Sequence, residues 1–325
     1  MNDPVNLVAD IGGTNIRLAR SDSSNTLIDI ETYQCCDFSC LLDVIQCYLT
    51  EKKITAASIN ACLAIACPVD TDIISMTNLP WQFSQTELKK ALKLNKLILI
   101  NDYTAIAMAI PMLTDEQKVK IGGGKALSNK AIAVCGPGTG LGVANLLPIA
   151  NKWYCFGGEG GHVDYAAIGD TEIKTLQYIQ SVKPRVSYEQ LLSGYGLEQI
   201  YQALLSIHHG DVLTKPTTQL TAKEISTKAL DNTCSFCHQA LDLFCKVLGS
   251  FAGNLALTMN TQGGVYIAGG IVPRFIDFLS ESDFRLRFEA KGRMSSLNKE
   301  IATYVITEKQ PGLLGASVYL NQVIA

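Results

Sequence analysis

The residues best equipped for chemistry gather at a few glycine-rich turns. Asp10 ends an apolar run and is followed by Gly12, Gly13, Thr14 and Asn15. A glycine turn exposes backbone N–H groups with no Cβ in the way, so a phosphate can approach, and threonine adds a hydroxyl donor. The design returns at Gly136-Pro137-Gly138-Thr139-Gly140. One such turn is equally an ordinary hairpin, whereas two of matching design in corresponding places argue for phosphate. Neither fits the Gly-Lys-Ser/Thr pattern of a P-loop, and neither joins a strand to a helix as a dinucleotide fingerprint does. Asp10 beside a phosphate turn repels its ligand unless a cation lies between them, which points to Mg²⁺; the other reading is a carboxylate that steadies its own turn.

Asn101-Asp102 ends a short apolar run at Leu97 to Ile100. Ligands of α/β sheets bind at such carboxyl ends, where Asp can accept a hydroxyl proton and Asn can fix the hydroxyl. Both residues are also favoured helix caps. In Gly157-Gly158-Glu159-Gly160-Gly161-His162 a carboxylate and an imidazole stand three apart among four glycines. That brings polar groups close to a small polyol. A metal pair and a plain flexible loop are the other readings, and no further close His or Cys completes a metal site. Glu189 precedes Leu191-Leu192-Ser193-Gly194 and by itself reads as a solvated helix-start residue. Cys234-x-x-Cys237-His238 has the outline of half a zinc site whose second half is missing, and a redox role is disfavoured on a long helix.

Those residues need elements to hold them. Apolar runs with tight turns predict strands at Leu7 to Asp10, Ile16 to Ala19, Leu27 to Tyr33, Ala61 to Cys67 and Leu97 to Ile100. The pattern restarts with strands at Ala131 to Val134 and Leu141 to Leu147, and later at Val265 to Ala268 and Ile301 to Ile306. Helical spacing predicts helices at 38–51, 84–92, from about Thr104, over much of 171–260, and at 313–323. Ser84 with Glu87 reads as a capping box, and Pro273 opens a helix. The result is an α/β protein of two related domains with a cleft between them.

Composition narrows the class. The 325 residues carry 27 Lys and Arg against 30 Asp and Glu, a net charge of −3. That excludes a general nucleic-acid binder, which needs basic excess to neutralise phosphates. Hydrophobic residues make up 47% and mean hydropathy is +0.17, so disorder is excluded as the dominant state. No signal peptide is visible, and no apolar run approaches the ~20 residues that span a bilayer. A soluble cytoplasmic protein is expected. Its 11 cysteines then read mainly as small buried hydrophobes, although Cys135 adjoins the second turn.

In order along the chain, Asp10-Ile11-Gly12-Gly13-Thr14-Asn15, Asn101-Asp102, Gly136 to Gly142, Gly157 to His162 and Ala268-Gly269-Gly270 closely resemble the ATP-dependent bacterial glucokinases. The likeness extends to Leu63 to Pro68, Met76-Thr77-Asn78, Leu192-Ser193-Gly194 and Pro311 to Gly315. It covers essentially the whole chain. The resemblance implies a two-lobed, actin-like (ribonuclease H-like) ATPase fold with an interdomain cleft, the small domain formed by 1–112 plus 303–325 and the large one by 113–302. It implies glucose contacts at Asn101, Asp102, Glu159, His162 and Glu189, with Asp102 the catalytic base. Phosphate contacts fall at Asp10, Gly12, Gly13, Thr14 and Asn15 and at Gly138 and Thr139. Adenosine falls at Gly269 and Gly270. Asp10 would reach Mg²⁺ through water. The family likeness further implies ATP as phosphoryl donor, D-glucose as acceptor and a homodimer. Pro137 departs from the pattern, since a small residue is expected there; it cannot donate an N–H, while Gly138 and Thr139 can. Relatives on this fold that carry a cysteine-rich zinc motif fit less well. A non-catalytic sugar sensor would need a helix-turn-helix for which the N-terminus has no room, and a phosphatase or carboxylate kinase is disfavoured by the Glu159, His162 and Glu189 set.

Overall fold

The computed structural model describes residues 4–55, 58–77, 79–208 and 219–324; Asn78 of the Met76-Thr77-Asn78 motif lies outside them. The chain divides into two compact units, Met1–Thr114 with Ile149–Gly157 and Glu308–Ala325, and Asp115–Pro148 with Gly158–Thr307. In chain order the elements are β1 Val5–Ile11, β2 Asn15–Ser21, β3 Leu27–Gln34, α1 Leu41–Glu51, β4 Ile59–Ile65, β5 Ile73–Ser75, β6 Gln82–Ser84, α2 Gln85–Ala91, β7 Lys96–Asn101 and α3 Asp102–Ala109. They continue with β8 Lys118–Gly122, β9 Ile132–Pro137, β10 Leu141–Ile149, β11 Lys152–Gly158, α4 Asp170–Gln180, α5 Gly194–His208, α6 Ala222–Leu230 and α7 Ser235–Met259. The last are β12 Val265–Ile267, α8 Ile276–Glu281, α9 Phe284–Glu289, α10 Ser295–Glu300, β13 Thr303–Ile306 and α11 Pro311–Ile324.

The sheet of the first unit has the order β3-β2-β1-β4-β7. β1 pairs antiparallel with β2 and parallel with β4, which in turn runs parallel to β7. Alternation along β1 explains how both faces are covered. Leu7, Ala9 and Ile11 pack with Leu41, Val44, Ile45 and Tyr48 of α1. Val8 faces the other way, with Leu313, Ala316 and Leu320 of α11. The four α1 residues recur at helical spacing and are all buried, which is why this segment is a helix.

In the second unit β10-β9-β12-β13-β8 are successive neighbours in one sheet. β9 pairs antiparallel with β10 and parallel with β12, which runs parallel to β13. The run β2-β1-β4-β7 and the run β10-β9-β12-β13 therefore have the same order and the same directions. This gives the internal repeat seen in the sequence a structural form, with each glycine-threonine turn joining the antiparallel pair of its run, β1 to β2 and β9 to β10.

Two segments depart from the expected division. Residues 303–306 form β13, which is hydrogen-bonded between β12 and β8 and so belongs to the second unit. Residues 149–157 pack with the first, where the Trp153 N–H and carbonyl are both held by the Gln322 side chain of α11. A third difference concerns α7. It is long and apolar enough to cross a bilayer by length and composition, against the expectation that no such run exists; its most apolar stretch is 72% buried, as in a core helix. Finally, Pro273 opens only a short 3-10 turn, Val272–Arg274, before α8, and of the capping box at Ser84 the structure shows the Glu87 N–H bond to the serine hydroxyl.

Candidate active site

In the first unit, Asp10 is the last but one residue of β1. The hairpin register sets Arg17 of β2 opposite it, and Arg17 Nη1 comes within 3.4 Å of Asp10 Oδ2. Burial pushes the Asp10 carboxyl above the usual carboxylate range, against the pull of Arg17. The first turn of α11 also lies against it, since a Cβ on Gly312 would come 2.8 Å from Asp10 Cγ. The Gly12 N–H is used up in closing the turn, on the Asn15 carbonyl at 3.0 Å. The N–H groups of Gly13 and Thr14 have no partner among the described residues. They are the donors left for an anion.

Two residues unmarked in the sequence brace this turn. The Cys35 N–H donates to the Thr14 carbonyl at 2.9 Å, and its sulfur lies 3.6 Å from the Gly12 carbonyl. Gln34 Nε2 donates to Asn15 Oδ1 at 2.6 Å. Nothing local signals them, because they reach the turn only through β2–β3 pairing.

Asn101 caps α3: its Oδ1 accepts the Tyr103 N–H at 2.9 Å. The capping role and a ligand role therefore coexist, with the oxygen committed and Nδ2 left as a donor. Asp102 is the first residue of α3, where the helix N-terminus favours a negative charge. Cys67, just beyond β4, is its neighbour; burial first, and then the Asp102 charge, raise that thiol. Gly157 lies beside the Thr104 hydroxyl of the same helix.

In the second unit the glycine turn is narrower than expected from sequence. Gly136 and Pro137 still belong to β9, paired with Gly142 and Leu141. The Gly138 N–H closes the turn on the Gly140 carbonyl at 2.8 Å. So Gly138 does not offer the free N–H expected of it, and Thr139 and Gly140 are the donors that remain. Gly269 has φ +86° and abuts the Pro137 carbonyl, a fit that a side chain would prevent. It thus fixes the strand end under the turn, while Gly270 beside it faces open space.

Glu189, read from sequence as a solvated residue, is tied to that turn. Its Oε2 accepts the Leu141 N–H at 2.8 Å, and its Oε1 lies 3.6 Å from His162 Nε2. A Cβ on Gly140 would come 2.6 Å from Oε2. The following segment adds a second tie, the Gly194 N–H on the Gly138 carbonyl at 2.9 Å. Gly160 and Gly161 back onto Val143 and Leu141 of β10. Glu159 precedes the 3-10 turn Gly160–His162 and is exposed, its carbonyl accepting the His162 N–H at 3.0 Å. Among the expected sugar contacts, the structure thus brings His162 and Glu189 together and joins them to Gly140. Asn101 and Asp102 belong to the first unit.

A sequence model of the family described as Glucokinase matches residues 7–323. The chain belongs to the glucokinase family. A glucokinase from Colwellia psychrerythraea is 65% identical over 98% of this chain and 97% of its own. The crystal structure of a glucokinase from an Antarctic psychrotroph superposes with a TM-score of 0.88 at 38% identity, covering 99% of this chain and 100% of that one. A ROK family glucokinase from Streptomyces griseus, solved in complex with glucose and AMPPNP, shares the fold at 16% identity and a TM-score of 0.61, over 98% of this chain and 99% of that one. The glucokinase-family chain is accordingly an ATP-dependent hexose kinase with the α/β fold of sugar kinases.

Proposed function

We propose that this protein transfers the γ-phosphoryl group of ATP to the 6-hydroxyl of D-glucose, giving glucose 6-phosphate and ADP, the first step of glycolysis. The observation that carries the reading is the pair of glycine-threonine turns, each joining the antiparallel strand pair of a four-strand run built in the same order and directions. Backbone N–H groups and the hydroxyls of Thr14 and Thr139 would stabilise charge on the transferring group. Gly12 and Asn15 shape the first turn, Gly138 the second, and Gly269 with Gly270 would border the adenosine.

Asp102 would accept the proton of the attacking hydroxyl. A base in this role must be ionised at neutral pH and within hydrogen-bond reach of that hydroxyl, and the N-terminus of α3 favours the ionised form. Asn101 Nδ2, Glu159, His162 and Glu189 would hold the other hydroxyls. A single carboxylate at a phosphate turn suits Mg²⁺, which takes most of its ligands from water and phosphate oxygens. Burial raises the Asp10 carboxyl and Arg17 counters it, so a cation held through a bridging water would favour its ionised form. Mg²⁺ would offset the charge on the β- and γ-phosphates. We also propose a homodimer, supported by the family likeness, and a cytoplasmic location, supported by 11 free thiols.

The test is a coupled ADP-release assay with ATP, Mg²⁺ and a panel of glucose, mannose, fructose and N-acetylated hexoses. ADP formation with glucose supports the reading. No ADP with any hexose overturns it in favour of a non-catalytic sugar sensor.

A further inference from the structure

We propose that Cys234 and Cys237 form a redox-active dithiol that closes reversibly to a disulfide at the N-terminus of α7. Sequence alone set the pair on a long helix and so against such a role, but Cys234 is the N-cap and stands just outside the helix. Its carbonyl takes the His238 N–H at 3.0 Å, and its sulfur accepts the Cys237 N–H at 3.3 Å. An N-cap and the residue three positions on are one helical turn apart, about the Cα separation of 4.4–6.8 Å that a disulfide needs. The two sulfurs are unequal. Cys234 is partly exposed, whereas Cys237 is buried. One is therefore open to an attacking or attacked reagent and the other is sheltered behind it.

The charges around the pair follow the same division. Burial works against a thiolate at Cys234, but hydrogen bonds from Cys237 and from the Phe236 N–H, with the Lys228 charge of α6, outweigh it and hold that thiol below its ordinary range. Burial first, then the bond to Cys234 and its charge, push the Cys237 thiol up. Cys62, Cys135 and Cys245 differ from the pair: each is buried, and burial raises each thiol. A thiolate at a helix N-terminus beside a second cysteine is the arrangement in which exchange is fast.

The co-reactant is a low-molecular-weight disulfide. The Cys234 thiolate attacks one of its sulfurs, its S–S bond breaks, and one thiolate leaves. Cys237 then loses its proton to solvent and attacks the Cys234 sulfur, expelling the second thiolate. Two protein thiols lose two electrons, and the small disulfide is reduced to two thiols.

The test uses the full-length reduced protein, equilibrated without oxygen against mixtures of oxidised and reduced glutathione, acid-quenched, alkylated and mapped by peptide mass spectrometry. A disulfide within the Cys234–Cys237 peptide is expected to fill as the ratio becomes oxidising. Cys237→Ser is expected to stop at a glutathione adduct on Cys234. In the untreated wild type at neutral pH, Cys234 should alkylate about tenfold faster than exposed Cys36. The proposal is overturned if both thiols stay alkylatable at the most oxidising ratio, if the adduct on Cys234 persists in the wild type, or if Cys234 alkylates no faster than Cys36. The two wild-type measurements decide the matter should Cys237→Ser fail to fold.

Discussion

Asp102 and Glu189 are both carboxylates assigned to the sugar, yet their surroundings give them different work. Asp102 opens α3 behind the Asn101 cap, a place that suits the proposed role of base. Asp102→Asn keeps the shape and the cap but removes the base. We expect kcat to fall by about 10²–10⁴ with glucose affinity retained, as for the loss of a general base, and near-normal turnover would remove Asp102 from that role. Glu189 instead holds the Leu141 N–H with one oxygen and approaches His162 with the other. Glu189→Ala should therefore weaken a non-hydrolysable ATP analogue even with no sugar present, by about tenfold for the loss of a charged hydrogen bond. Glu189→Gln, whose amide oxygen can still accept that N–H, should restore nucleotide affinity while leaving glucose binding weak. Titration of the analogue against both variants separates the outcomes: equal nucleotide affinity in wild type and alanine variant would reduce Glu189 to a sugar contact. The sequence marks Glu189 only through family likeness, because the contact that explains it spans 48 positions and belongs to tertiary structure.

At the scale of elements, helix α7 is the main packing support of the second unit. Its Gly249 and Gly253 face α9 so closely that a Cβ would come 2.1 Å from the Phe284 carbonyl and 2.5 Å from that of Phe288. Backbone atoms cannot swing aside as a side-chain tip does. Gly249→Ala should push the two helices apart and cost about 1–3 kcal/mol as overpacking does. A Tm lowered by about 2–4 °C per kcal/mol checks this, and an unchanged Tm would mean the helices separate freely. Periodicity made elements of this kind legible: the apolar positions of α1, the buried run of β4 and the hairpins flanking both glycine turns all follow from side-chain spacing. What spacing could not show was partnership. β13 reads as a strand wherever it lies, and only its pairing with β12 and β8 assigns it to the second unit. The half-exposed β11 gave no strand signal, since its burial does not alternate cleanly toward Gly158. Cys237 lies on the long helix as expected, while Cys234 stands just outside it as the N-cap, because a cap and a first turn differ by one residue of register.

For the whole molecule, the net charge of −3 carries a consequence for how an anionic nucleotide arrives. Neither Asp10 to Asn15 nor Gly136 to Gly142 contains Lys or Arg. The nearest cation in the first hairpin, Arg17, is already engaged with Asp10. On the proposed reading, phosphate binding would rest on N–H groups fixed at short range and on Mg²⁺, and not on a basic surface that draws ligand in over a distance. Salt screens exposed charges over a Debye length of about 10 Å at 0.1 M but leaves contacts at hydrogen-bond range nearly untouched. Steering by a charged face produces the opposite behaviour, a steep fall of association with ionic strength. The value of kcat/KM for MgATP should therefore change by less than about threefold between roughly 20 and 200 mM KCl, at fixed free Mg²⁺ and saturating glucose. A fall of about tenfold over that range would show that a basic surface gathers the nucleotide, and the backbone-donor account of both turns would have to give way.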